Sequence, residues 1–187
     1  MIRVTLTPFE ERWASEIAEI RIEESKRLEP SFDPKTMSFG HRMGALGELA
    51  FCKAVGFVWP ARYNQFKTKL PDVDPFWEVR WSSSVRYVKV RRAPAHGRRL
   101  TDRPDQLVVH VTGKPPTFDV HGYVSAAWAQ QNIPLSDPGH RKVPAHFARP
   151  EHLSPINPGF HGLCAWARTE RGWLCLYCGT AYQGPLP

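Results

Sequence analysis

Residues 71–83, Pro-Asp-Val-Asp-Pro-Phe-Trp-Glu-Val-Arg-Trp-Ser-Ser, restrict the fold more than any other stretch of this chain. Trp77 to Ser82 alternates, and successive strand side chains point to opposite faces. Glu78 and Arg80 therefore share one face while Trp77, Val79 and Trp81 share the other. Such a segment is a strand backed by aromatic core, with an acid and a cation side by side on its opposite face. Asp74-Pro75-Phe76 reads as a tight turn, since proline fixes φ and aspartate favours turn starts, so Asp72 would end a preceding strand and lie across from Glu78. Two carboxylates meeting at a sheet edge beside a guanidinium are what a divalent metal and a phosphate need.

A strand of that kind needs a core around it. The 187 residues suffice for a single domain with a small appendage, without disulfides. Residues 7–29 read as a helix: Thr7 is the N-cap, Pro8 the first helical residue, and Glu10 completes a capping box. Trp13, Ile17 and Ile20 give it a buried stripe, Glu23 and Arg27 an exposed i,i+4 pair, and Pro30 an end. Nothing in it points to chemistry. A second helix spans about 41–55, stopped by Gly56. Its interior Gly44 and Gly47 each cost roughly 1 kcal/mol relative to alanine, which implies a packing or access reason. Gly44 lies one turn before Glu48 on the same face, where it would thin the helix and let Glu48 approach a ligand or the sheet. Taken alone, Glu48 reads as a surface acid. Strands are expected at 85–90, 106–112 and 117–124, then a short helix over 126–131 capped by Ser125. This order argues for an α+β fold, an α/β sandwich with a mixed central sheet flanked by helices.

The net charge of +7 is concentrated in one place. Residues 79–103 hold eight cations, Arg80, Arg86, Lys89, Arg91, Arg92, Arg98, Arg99 and Arg103, against one acid, Asp102. Beginning right after the acidic motif and including Trp81 and Tyr87, this run suits a phosphate backbone, with Arg86, Lys89, Arg91, Arg92, Arg98 and Arg99 as candidate DNA contacts. A solvated basic hairpin with a flexible tip at 94–97 is the competing reading. The start of the chain has no apolar run of the signal-peptide kind and no segment is long enough to span a bilayer, so a cytoplasmic setting without membrane partners is expected. There, paired cysteines more often bind metal than form disulfides.

Of the 18 prolines many fall after Pro134, and residues 133–158 are expected to be loop, with His140, His146 and His152 as exposed side chains. The end of the chain places His161 and Cys164, then Cys175 and Cys178, on either side of a short hairpin-like segment, 165–174. Two ligand pairs with two-residue gaps match a tetrahedral Zn²⁺ site, a zinc-knuckle-like appendage whose second half resembles a zinc ribbon; a strand of buried thiols would use the same residues. Cys52 is expected to pack only. The chain thus divides into an N-terminal helix (1–37), a core (38–132), a proline-rich loop (133–158) and a zinc-binding hairpin (159–187).

Gly44-x-x-Gly47-Glu48 on a helix, then Pro71-Asp72, then Glu78-Val79-Arg80, resemble the PD-(D/E)XK nuclease superfamily, in particular its phage-encoded members that read EVR where most read EVK. The resemblance covers roughly 38–132, including 104–107 and 119–123. It implies a restriction-endonuclease-like core and hydrolysis of phosphodiester bonds with Mg²⁺ or Mn²⁺. It also implies Asp72 and Glu78 as metal ligands with Asp74 as the alternate first aspartate, Glu48 as a helix-borne acid near the metal, and Arg80 in the usual lysine's place. Lysine can shift its pKa and assist deprotonation, whereas arginine stays charged and cannot act as a base, so activation of water would rest with the metal. Three functions follow as expectations: a metal-dependent endo- or exodeoxyribonuclease, a catalytically inactive DNA-binding or inhibitory protein on the same fold, and an adaptor that engages a protein partner through the C-terminal zinc module.

Overall fold

The computed structural model describes residues 1–28, 34–62, 71–73, 76–92, 102–136 and 144–156, together with the strand backbones at 166–169, 172–175 and 181–182. It is a mixed α+β fold. In chain order the elements are β1 (Ile2–Thr5), α1 (Pro8–Leu28), α2 (Pro34–Val55), β2 (Trp77–Trp81), β3 (Val88–Arg91), β4 (Leu107–Lys114), β5 (Thr117–Ser125), α3 (Ala126–Asn132), β6 (Leu135–Ser136), β7 (Ala145–Ala148), a 3₁₀ turn at Pro150–His152, β8 (Trp166–Thr169), β9 (Gly172–Cys175) and β10 (Ala181–Tyr182). No helix among the described residues is long and apolar enough to cross a membrane.

The main sheet runs β1-β5-β4-β2. β2 pairs parallel to β4, while β4 with β5 and β5 with β1 are antiparallel, so the sheet is mixed as expected. Parallel neighbours need a crossover, and here the chain between β2 and β4 makes it by way of β3, which belongs to a second sheet, β3-β7-β6. β8, β9 and β10 form a third, antiparallel sheet, whose β8–β9 pair is the hairpin expected over 165–174.

Alternation decides what each face of the main sheet meets. Trp77 and Val79 of β2, with Val109 and Val111 of β4 and Phe118 and Val120 of β5, turn to one side and bury against Leu46, Ala50 and Phe51 of α2 and Ala14 and Ala18 of α1. Trp77 and Phe51 are each at most 2% exposed, and full burial of such side chains stabilises by about 1.5–3 kcal/mol apiece. Val108 and Val124 turn to the opposite side and join Val88, Val90, Ala126, Ala129 and Ala148. Helices therefore cover one face, and the small sheet with α3 covers the other, rather than helices flanking both.

Several sequence expectations need correction. An N-terminal strand, β1, went unread; Arg3 reinforces its pairing with β5 by a forked ion pair to Asp119. The Thr7–Glu10 capping box forms, with Thr7 N–H donating to Glu10 at 2.6 Å and Glu10 N–H donating to Thr7 Oγ1 at 3.3 Å. Of the expected stripe of α1, Trp13 and Ile17 pack half-buried against the core while Ile20 is 44% exposed, and the fully buried positions are Ala14, Ala18, Arg21, Ile22 and Ser25. Small residues at positions 14 and 18 let α2 approach closely there. Glu23 pairs with Lys26 instead of Arg27. α2 begins at Pro34, seven residues earlier than expected. At Gly44 an added Cβ would meet nothing within 4 Å, whereas at Gly47 it would lie 3.4 Å from the Trp81 Cβ, so Gly47 is where the helix lies close to the sheet. The strand expected at 85–90 starts at Val88, after a turn that carries Arg86. The supposed loop 133–158 contains β6 and β7, and His146 is buried within it, its Nδ1 donating to the Ile133 carbonyl at 2.6 Å.

Candidate active site

Glu78 and Arg80 occupy the β2 face that looks toward the small sheet, paired in register with Val108 and His110. Asp72 reaches them by a short reversal: Val73 and Trp77 exchange two backbone hydrogen bonds, 3.0 and 2.9 Å, and the Asp72 carboxylate accepts the Val79 N–H at 2.8 Å. Asp72 thus lies beside Glu78 through a turn closed by a single bridge rather than at the end of a full strand. One nitrogen of Arg80, Nη2, donates to Asp102 Oδ1 at 2.6 Å and lies 2.8 Å from Glu78 Oε1 as an ion pair. Its Nε is buried and finds no hydrogen-bond partner among the described residues.

Asp102 is the residue sequence reasoning missed. Its side chain is 2% exposed; Oδ1 takes Arg80, and Oδ2 accepts the Arg91 backbone N–H at 2.6 Å. Gln130 of α3 locks the arrangement by donating to the carbonyls of both Arg91 and Asp102. The available signal was its isolation, as the one acid among eight cations in residues 79–103.

Glu48 is also buried, not a surface acid, and it is fully occupied. Arg21 of α1 grips it with two bonds of 2.7 Å, and Trp59 Nε1 adds a third at 3.2 Å. Arg21 Nε continues to the Arg62 carbonyl, and Arg62 donates to the carbonyl of Pro71, next to Asp72. The helix expected to carry no chemistry therefore supplies the guanidinium that holds Glu48. A polar residue at the third position of the 14/18/21/25 stripe was the sequence signal for it.

Burial dominates the electrostatics. Desolvation, and then the charge of Glu48, raise the pKa of Asp72 against the pull of Arg80. Desolvation, and then Asp72, push Glu78 up to about 7, again against Arg80. Arg80 itself is held more firmly protonated than usual: burial opposes its charge, but Glu78, Asp102 and Asp72 outweigh it. The nearby Arg91 is lowered, chiefly by Arg80. His110, beside Arg80, is pushed down to about 4 by burial and then by His121, so it adds no charge at neutral pH. Its Nε2 lies 2.9 Å from Ser82 Oγ.

The four acids Glu48, Asp72, Glu78 and Asp102 face the three guanidiniums of Arg21, Arg80 and Arg91, an excess of one negative charge if all ionise. Either a proton on Glu78 or Asp72, or a cation between them, would relieve it. Among the described residues no group of three or more His, Cys, Asp or Glu is arranged to hold a metal. Two carboxylates whose ionisation is resisted in this way nevertheless fit a hard divalent cation in their donor chemistry, and Asp72 and Glu78 would hold it. A hollow of about 430 Å³ lined by Pro8, Glu11, Arg12, Ser15, Glu16 and Arg42 shares no residue with this cluster.

The candidate DNA contacts separate. Arg86 and Arg92 are exposed, Lys89 is half-buried, and Arg91 is half-buried next to the carboxylates. Asp74, Arg98, Arg99, His161, Cys164 and Cys178 lie outside the described residues, as does the side chain of Cys175, the last residue of β9. Cys52 is buried in the α2 core, where burial raises its thiol pKa, so it packs as expected. No protein-family model, curated protein or solved structure matches this chain.

Proposed function

We propose that this chain is a Mg²⁺- or Mn²⁺-dependent nuclease that hydrolyses phosphodiester bonds of DNA on a restriction-endonuclease-like core, and that it belongs with the phage-type PD-(D/E)XK enzymes. The observation that carries the reading is the meeting of buried Asp72 and half-buried Glu78, carboxylates that resist ionisation, beside an arginine with an unused donor. The metal would supply charge neutralisation and activation of water. Asp72 and Glu78 would hold it, Glu78, whose pKa burial raises to about 7, in its ionised form. Arg80 remains charged throughout; it does not accept a proton but donates to the phosphate, where negative charge grows during attack. Asp102 keeps that guanidinium in place, and Arg21, donating from Nε to the carbonyl of Arg62, which in turn donates to that of Pro71, braces the segment that presents Asp72. Exposed Arg86 and Arg92 would meet the backbone of the polynucleotide.

A second reading has its own support. Arg80 Nη2 already spans Glu78 and Asp102, as a structural ion pair does, and this favours a catalytically silent DNA-binding or inhibitory protein on the same scaffold. Cleavage of single-stranded, duplex and branched DNA with either metal, measured for the wild type and Glu78→Gln together, separates the two. Cleavage lost in the variant supports the nuclease. A folded wild type that cuts nothing, with salt-sensitive binding in both proteins that persists in EDTA, supports the silent one. Elemental analysis of the same preparation tests for zinc on His161, Cys164, Cys175 and Cys178.

A further inference from the structure

The small sheet has two unlike faces. Val88 and Val90 of β3 and Ala148 of β7 turn inward to the core shared with α3. By the pleat, Lys89 turns the other way, and the register pairs it with Phe147, which shares its side. Tyr87, immediately before β3, packs its ring edge-to-face on Phe147 with centroids 4.9 Å apart at 86°, yet remains 40% exposed. Arg86 and Arg92 are exposed just before and just after β3, so cations lie near both ends of the strand that follows Tyr87, while Arg91 is half-buried against the carboxylates. The single acid of residues 79–103, Asp102, is buried and committed to Arg80 and Arg91.

We propose that this face binds single-stranded DNA, with a base stacked on Tyr87 and the flanking phosphates on Arg86 and Arg92. Charge complementarity selects a polyanion. The aromatic pair selects its form, because a ring pinned by its neighbour and open on its free side offers a stacking platform, and only an unpaired base has a face to give it. Arg91 connects the surface to the carboxylates, since its charge is felt by Arg80, Asp102, Glu78 and Asp72. The inference rests on the nuclease reading for the choice of DNA and deepens it by naming the form of the substrate, but binding at this face needs no metal.

The test is fluorescence anisotropy in EDTA with labelled oligothymidylate, an abasic strand of equal length, a duplex and oligouridylate. The wild type is expected to bind oligothymidylate about tenfold more tightly than the abasic strand, the worth of one stacked base. Tyr87→Leu, which keeps apolar volume against Phe147 without an aromatic face, should erase that ratio, and Tyr87→Phe should preserve it. Replacing Arg86 and Arg92 by Gln should weaken both strands equally and flatten the salt dependence. An unchanged ratio in Tyr87→Leu, tighter binding of the duplex, or tighter binding of oligouridylate each overturns the proposal. Strand binding of the expected pattern by a protein that cleaves nothing upholds this inference and ends the nuclease reading alone.

Discussion

Two arginine–carboxylate clusters are buried a short distance apart in this protein, and they are built on opposite plans. At the first, Arg21 and Glu48 meet fork to fork at 2.7 Å, Trp59 takes a further lone pair, and the third guanidinium nitrogen, Nε, ends on a carbonyl, so each nitrogen has a partner. At the second, one nitrogen of Arg80 serves two acids while its Nε has no partner among the described residues, and a third acid, Asp72, stands by. The same residue types thus give a saturated pair, 4% exposed at both side chains, and an unsaturated one that is somewhat more open. Saturation leaves nothing to offer a ligand. The unsaturated cluster keeps a donor and an excess of negative charge, which is what binding a cation and a phosphate requires.

The comparison can be broken from either side. The largest effect should come from Arg21→Met, which strands the Glu48 charge in the core; about 3–5 kcal/mol of stability is expected to go in urea unfolding. Adding Glu48→Leu should recover most of it, and a double variant no more stable than Arg21→Met would show that the saturated pair does more than satisfy itself. At the unsaturated cluster the sign is reversed. Glu78 has a folded pKa of about 7, above its ordinary carboxylate value, so its contribution to stability is fully present at low pH and is lost as pH rises between those two values. In metal-free buffer, Glu78→Gln should therefore gain on the wild type by about 3 kcal/mol between acid and neutral pH, and in a separate assay with metal the proposed cleavage should be lost. A stability difference that stays flat with pH would remove the case for frustration at this site.

Asp102→Asn is the next step down. Asparagine has one acceptor oxygen where Asp102 uses two, so either the Arg80 donor or the Arg91 N–H must go unpaired, at about 1–3 kcal/mol. Because Arg80 then loses its anchor, cleavage should fall in kcat with little change in KM; a change in KM alone would assign Asp102 to substrate binding. Smallest of all is Glu23→Ala: its pair with Lys26 is exposed and screened by solvent on α1, so thermal unfolding should show no resolvable change in Tm.

The contrast also explains what could be read from the chain. The alternation around Glu78 and Arg80 was legible because a half-buried strand writes its faces into every second residue. So were the caps of α1 and α3, which are local hydrogen bonds between residues three apart. Partners distant in sequence were not. Asp102 meets Arg80 across 22 positions and Arg21 meets Glu48 across 27, and no periodicity records such pairings. The small sheet was hidden for a related reason: β6 and β7 are two and four residues long, too short to show alternation among prolines.

The pairing of β1 with β5 has a consequence for synthesis. Ile2 lies opposite Val120 and Thr5 opposite Thr117, so β1, made before its partner in this sheet, must wait for it to find its place. Until residues 117–120 have left the ribosome, Val4 and Leu6, both buried in the finished protein, have no sheet to join, although α1 and α2 can already pack on each other. Loop closure over so long a span favours slow completion of the sheet. A nascent chain stopped after Lys114 would hold Glu48, Asp72, Glu78 and Asp102 yet lack β5, the interior strand that joins β1 to β4, and it would expose apolar surface for as long as the pause lasted.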